Sequence, residues 1–273
     1  MPVFTLPKSS HPDFALPNVK PKGPVLVDWG EPLSKGLLSC VLFRAGEGDV
    51  TRLRTATSTT GTNSIDMGVH SGVQSGKTVG SEANAHIDFL PTMTFTVDDP
   101  WTIVLRLRCD GAANSGMSAG QRGDTSSYIW ARNGTDVIIN TEAGSTTFFS
   151  GTADLTVMTD VVVTSTGEGT TNSTLSVYLD GVKESTGSLS TGFILNALFT
   201  AHTNHTLALN GLMELGYVYN RTWSDNDVAT YRESRYQILK PAIPLTYFVP
   251  AAAAAGGNEP LFYHHQRMLS RCS

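Results

Sequence analysis

Carboxylates, imidazoles and thiols are the groups in this 273-residue chain able to break bonds or hold metals, and their spacing limits what they can do. Glycoside hydrolysis needs two carboxyls about 5 Å apart for retention, or about 6.5–9.5 Å apart for inversion. In the strand-like stretches Asp88, Asp136, Asp180 and Glu214 each stand alone. Asp98 and Asp99 are adjacent before Pro100, but neighbours on an extended chain point to opposite faces, so this pair reads as a solvated loop. No G-x-S-x-G elbow occurs, and no Ser or Cys has a recognisable base partner in sequence. These residues predict no catalytic site. His202 and His205 could offer two imidazoles to a metal, yet no third ligand of fitting spacing is near, and surface-loop histidines are expected. His264 and His265, in the tail, are of the residue type able to titrate near neutral pH, and are expected to pack or face solvent. Cys40, Cys109 and Cys272 are odd in number with no C-x-x-C, which suggests neither a zinc site nor a disulfide framework. Cys40 and Cys109 adjoin apolar runs and read as buried free thiols.

Charged residues are 16% of the chain and the formal net charge is −5, which argues against a nucleic-acid partner. No apolar stretch approaches a bilayer span, and the N-terminus lacks the apolar core of a signal peptide, so the reading expects synthesis in a reducing cytosol and no membrane partner. The N-x-T sequons at Asn133, Asn172, Asn204 and Asn220, and the tripeptide Arg122-Gly123-Asp124, are expected by chance and carry no role.

The elements that must position any site fall in three regions. Residues 1–28 carry prolines at 2, 7, 12, 17, 21 and 24, which block helix interiors and central strands and imply an extended arm. Residues 29–240 read as a β domain. Trp101, Ile103, Leu105 and Leu107 alternate with Arg106 and Arg108, the period-two pattern of a half-buried strand. Leu175, Val177 and Leu179 repeat the pattern and lead into Asp180-Gly181, a tight-turn signal. Further strands are predicted at 37–43, 85–90, 126–131, 136–141, 145–150, 156–164 and 205–219. Ser224 lies three residues before Asp227, with Val228, Tyr231 and Arg235 at helical spacing, so one helix is predicted from Asp225 to Tyr236. Residues 241–273 hold prolines, the Ala251–Ala255 run and a terminal aromatic segment, the composition of a linker and docking tail. Phe4, Phe14, Tyr247, Phe248, Phe262 and Tyr263 are the ring anchors by which the two arms would dock on partner subunits.

Four pieces carry a family resemblance: Pro32–Phe43, Ile87-Asp88-Phe89 followed by Trp101-Thr102-Ile103, Val177-Tyr178-Leu179-Asp180-Gly181-Val182, and above all Leu209–Arg221 followed by the Ser224 helix. In this order they resemble a concanavalin A-like lectin/glucanase domain of the laminin-G type. The fold class implied is all-β, a jelly-roll β-sandwich with one short C-terminal helix and extended N- and C-terminal arms. The arms resemble those of bacteriophage structural proteins. That likeness implies a non-enzymatic virion component, a capsid decoration or head-fibre subunit, made in the host cytoplasm and docked on other virion subunits such as the major capsid protein. It also implies a homo-oligomer. The alternative is a lectin-like module that binds surface glycans. No cofactor is expected. The resemblance allows a structural calcium ion, with Asp110, Asp124, Asp136 and Asn140 as candidate ligands, although no D-x-D-x-D-G loop exists. A sugar site needs exposed rings with amides and acids at the rim. Tyr128, Trp130 and Trp223 are the candidate rings, with Trp130 and Trp223 expected to fill the core instead.

Overall fold

A computed structural model describes residues 3–5, 18–43, 48–53, 55–58, 64–79, 86–110, 117–121, 127–132, 136–141, 144–148, 154–168, 173–198, 209, 211–242 and 246–248. In chain order their strands are β1 (Val3–Thr5), β2 (Val25–Val27), β3 (Leu37–Leu42), β4 (Thr55–Ser58), β5 (Ser64–His70), β6 (Val73–Val79), β7 (Ile87–Phe95), β8 (Trp101–Cys109), β9 (Met117–Gly120) and β10 (Tyr128–Arg132). They continue as β11 (Asp136–Thr141), β12 (Gly144–Phe148), β13 (Thr159–Ser165), β14 (Ser173–Leu179), β15 (Val182–Leu189), β16 (Phe193–Leu198), β17 (Gly211–Tyr219), β18 (Leu239–Pro241) and β19 (Thr246–Phe248). One helix, α1 (Asp225–Glu233), lies between β17 and β18.

Two sheets make the sandwich. One runs β15-β14-β13-β8-β17-β6-β5, with β3 also on β17; the other runs β12-β11-β10-β9-β16-β7-β4. The pairings within both sheets are antiparallel, for example β8 with β13 and β17, and β10 with β9 and β11. Alternation along the strands fills the interior. Trp101, Ile103, Leu105, Leu107, Val161, Val163, Leu175 and Val177 meet Phe89, Phe95, Ile129, Ile139, Phe193 and Leu195 in one apolar cluster. Trp101 stacks on Phe193 with ring centroids 5.1 Å apart.

The outer face of the eight-stranded sheet has a second core. Val104, Val162, Leu215, Tyr217 and Tyr219 project outward there and are covered by Trp223, Val228 and Tyr231 around α1, and by Val25, Val27 and Leu239. The helix starts as its sequence predicts. Ser224 accepts from the Asp227 amide, and the Asp227 carboxylate accepts from the Ser224 amide, a complete capping box. The helix ends at Glu233, three residues short of the predicted Tyr236. The Asn18 side-chain amide takes the Arg232 and Glu233 carbonyls at 3.1 and 3.2 Å, satisfying the helix end with a residue more than two hundred positions away.

Residues 18–28, which the sequence reading places in the N-terminal arm, therefore pack on the sandwich, with Val25 and Val27 in its second core. β2 pairs with β18, and β1 pairs with β19, so residues 3–5 run beside 246–248 and 25–27 beside 239–241. Strands at 55–58, 64–79, 117–120, 182–189 and 193–198 were not among those predicted. Most are rich in Ser, Thr, Gly and Lys, and their place in a sheet comes from the neighbours they pair with. The Asp180-Gly181 turn joins β14 to β15 with both residues at positive φ, 46° and 83°, as the tight-turn reading requires.

Close packing of β17 on β8 depends on Gly211. A Cβ there would lie 1.8 Å from the Arg108 carbonyl oxygen. Gly211→Ala is expected to destabilise the fold by about 3 kcal/mol or more, read as a fall in the urea unfolding midpoint.

Candidate functional site

The two outer faces of the sandwich differ in chemistry. On the eight-stranded sheet, Arg106 of β8 lies opposite Asp160 of β13 on one side and Leu215 of β17 on the other, beside a register shift that displaces Glu214. The Arg106 guanidinium reaches both acids, 2.7 Å to Glu214 Oε2 and 3.2 Å to Asp160 Oδ1. Arg235, just past α1, donates to both Asp160 oxygens, and Tyr231 donates to Asp160 Oδ1 at 3.0 Å. The Tyr236 hydroxyl donates to Glu214 Oε1. Burial works to lower the basicity of Arg106, but Asp160 and Glu214 outweigh it and hold the guanidinium firmly charged. Burial, reinforced by Asp160 for Tyr231 and by Glu214 for Tyr236, raises both phenols well above their usual range, so each remains a proton donor to its carboxylate.

These are the two acids that the fold brings together, and the sequence reading did not find the pair. Glu214 stood alone in its strand, and Asp160 was not singled out. Every oxygen of the two carboxylates accepts from Arg or Tyr, so neither is presented to a substrate. The arrangement ties α1 and the turn after it to the sheet. Asp160→Asn would leave two guanidiniums facing a neutral amide and is expected to cost about 3 kcal/mol, measured by denaturant unfolding.

Asp99, Asp88 and Asp180 are also engaged. Asp99 closes its own turn, accepting from the Thr96 amide and hydroxyl at 2.7 and 2.8 Å. Asp88 meets the buried His86 ring at 3.1 Å. Asp180 accepts from the Asp160 amide at 3.1 Å. Of the calcium candidates, Asp110 pairs with Arg108 at 2.7 Å, and Asp124 lies outside the described residues. Asp136 and Asn140 share one face of β11, but they stand four positions apart along the strand, about 13 Å, too far to ligate one ion together. Among the described residues no three His, Cys, Asp or Glu side chains gather as a metal site would require. Cys40 and Cys109 are buried free thiols as predicted; Cys272, His202, His205, His264 and His265 lie outside the described residues.

On the seven-stranded sheet the outward positions differ in kind. Ile129 and Ala131 enter the core, so Tyr128 and Trp130 stand on the opposite face. Both are partly exposed, with ring centroids 6.1 Å apart at 73°, an edge-to-face pair. Trp130 was expected in the core; alternation within its own strand turns it outward. Trp223 is in the core, as expected, at 1% exposure. Across the ladder Trp130 lies opposite Ile138, and Tyr128 lies opposite Asn140. Asp136 lies two residues from Ile138 on the same face. Half-burial raises the Tyr128 phenol, which keeps it a neutral hydroxyl at ordinary pH. Two partly exposed rings, with Asn140 and Asp136 on the same face of the neighbouring strand, form a platform suited to a ligand with both apolar and hydroxylated faces.

Of the predicted docking rings, Phe4 and Tyr247 are register partners in the β1–β19 ribbon, and Phe248 pairs with Val3. Phe14, Phe262 and Tyr263 lie outside the described residues.

No protein-family model and no curated protein matches this sequence. Solved structures do share its architecture. The binding domain of botulinum neurotoxin serotype D superposes with a TM-score of 0.53 at 10% identity, covering 75% of this chain and 52% of that one. The binding domain of Paraclostridial Mosquitocidal Protein 1 gives 0.51 at 13% identity, covering 75% and 53%. This chain thus spans about half the length of those domains, and at such identities the likeness is one of fold. The class is settled: an all-β, jelly-roll-type β-sandwich with one short helix.

Proposed function

We propose that this chain is a non-catalytic recognition module that binds carbohydrate on the outer face of its seven-stranded sheet. The observation that carries the reading is the Tyr128–Trp130 ring pair, partly exposed on that face beside Asn140 and Asp136. Rings stack on the apolar C–H face of a pyranose, and amides and carboxylates pair with its hydroxyls. Two further facts support it. The acids gathered on the other sheet are fully engaged by arginine and tyrosine, and the similar sandwiches are described as binding domains. In this role Tyr128 and Trp130 stack, Asn140 and Asp136 orient, and no bond is broken.

The test is a glycan array on the intact chain followed by calorimetric titration of the best ligand. Trp130→Ala is expected to weaken binding about tenfold or more while leaving the melting temperature within a few degrees of the parent. An intact chain that binds no glycan, or a Trp130→Ala variant that binds as tightly as the parent, would overturn the reading.

A second reading, a bacteriophage virion subunit that oligomerises and docks on capsid neighbours through its arms, is favoured by the β1–β19 ribbon. A two-stranded ribbon of three-residue strands is marginal by itself in water and gains from a surface to lie on. A chain lacking residues 1–5 and 246–273 is then expected to keep its glycan affinity but fail to co-sediment with particles assembled from the other subunits.

A further inference from the structure

The two edges of the eight-stranded sheet are not alike. β15 carries the exposed Lys183 and Glu184 and a register shift against β14, features that keep an edge from pairing with another chain. β5, at the other edge, is seven residues long and contains no proline, lysine or arginine. It pairs with β6 without a break in register from Ser64 to His70, and among the described residues no strand lies along its far side. A long, regular edge of this kind is a template for a further strand.

The turn after β5 fixes which groups face that open side. Ser71 and Gly72, at φ 51° and 80°, join β5 to β6 as a two-residue hairpin, and the flanking pair His70 and Val73 is hydrogen-bonded in such a turn. Alternation then points the backbone N–H and C=O groups of Asp66, Gly68 and His70 toward β6 and those of Ile65, Met67 and Val69 outward. Side chains alternate as well. Ile65 enters the core, Met67 packs partly against it, and Val69 on the same face is 72% exposed. On the opposite face the His70 ring reaches back past Gly68 to its own Asp66, with Nε2 3.1 Å from the carbonyl oxygen and 3.7 Å from the carboxylate.

We infer that β5 is a dimer interface, pairing antiparallel with β5 of a second copy of this chain about a two-fold axis at Gly68. The strand's own residues select that register. For the sheet to continue, inward residues must face inward residues, so the pairing can shift only in steps that keep each side chain on its face. Centred on Gly68, Met67 lies opposite Val69 of the second copy, and both belong to the set whose backbone groups point outward to form the ladder. On the other face Asp66 lies opposite His70 of the second copy, an acid against an imidazole that can donate to it. Moving the centre to Met67 or Val69 separates each acid from the imidazole across the axis. Moving it to Asp66 sets two carboxylates face to face, which is repulsive. Gly68 itself brings no side chain to the axis, so the two acids and two imidazoles can close over it. This axis stands perpendicular to the sheet, and both seven-stranded sheets therefore lie on one side of the dimer. On the glycan reading, two ring platforms would face the same way and engage a multivalent surface together.

Sedimentation equilibrium and a cross-link, both on the full chain, test the pairing. The parent is expected to sediment as a dimer. Val69→Lys, at a position exposed enough to accept lysine, is expected to weaken dimerisation about tenfold or more. Facing Cα atoms in a non-hydrogen-bonded antiparallel pair lie about 4.5 Å apart, within reach of a disulfide. Gly68 also has room for a side chain, since the nearest atom to an added Cβ is the His70 ring at 3.6 Å. Gly68→Cys in a Cys272→Ser background is therefore expected to give a disulfide-linked dimer on mild oxidation, whereas Asp66→Cys in the same background stays unlinked. A parent chain that remains monomeric, a dimer that Val69→Lys leaves intact, or a Gly68→Cys variant that links no better than Asp66→Cys would each overturn the inference.

Discussion

Arg106 between Asp160 and Glu214 is the contact on which the outer half of this molecule depends. Three charges lie on one face of a sheet beneath a helix, where each alone would be costly to desolvate. They are tolerated because every carboxylate oxygen has a donor and because Arg235 adds the second positive charge. The donors come from β8, from α1 and from the turn after it. Satisfying the acids therefore fixes where the helix lies, and the helix in turn covers Val104, Val162 and Tyr217. The same β17 bulge that directs Glu214 toward Arg106 also turns its carbonyl to Lys20. One irregularity in one strand thus organises the helix, the following turn and the N-terminal segment.

That arrangement makes the two outer faces unequal. The eight-stranded sheet spends its outward residues on holding its own cover in place. The seven-stranded sheet turns Tyr128 and Trp130 outward, partly exposed, with polar side chains on the neighbouring strand. A sandwich needs two inner faces for its core, and what it does with its outer faces is free to differ. Here one outer face holds a helix and its own cover in place, and the other leaves two rings partly exposed. A likeness of fold alone would not make that distinction, since jelly-roll sandwiches host unrelated activities. It follows from which side chains each strand turns outward.

Much of the fold was legible in short segments. Trp101 to Arg108 alternates so regularly that its inward and outward sides follow from period two, and the structure keeps both sides as read. Asp180-Gly181 announces its turn because few other pairs accept positive φ at both positions. Ser224 and Asp227 announce the start of α1 because the capping box is a contact across three residues. Each of these signals is local. Strands such as Ser64–His70 and Val182–Leu189 carry little apolar alternation and were missed, because what holds them is a neighbour's backbone.

By itself, then, the chain's order of residues determined that it would be a β-sandwich with one helix, where that helix would begin and which residues of its clearest strands would face inward. Tertiary structure alone decided that Asp160 and Glu214, 54 residues apart, would share an arginine; that Asn18 would end a helix more than two hundred residues later; and that Trp130 would look outward. The physical reason is the same in each case. Periodicity and caps are written within a few neighbouring residues, whereas register between strands is set by pairing with distant segments, and a shift of a single residue exchanges the two faces of a strand.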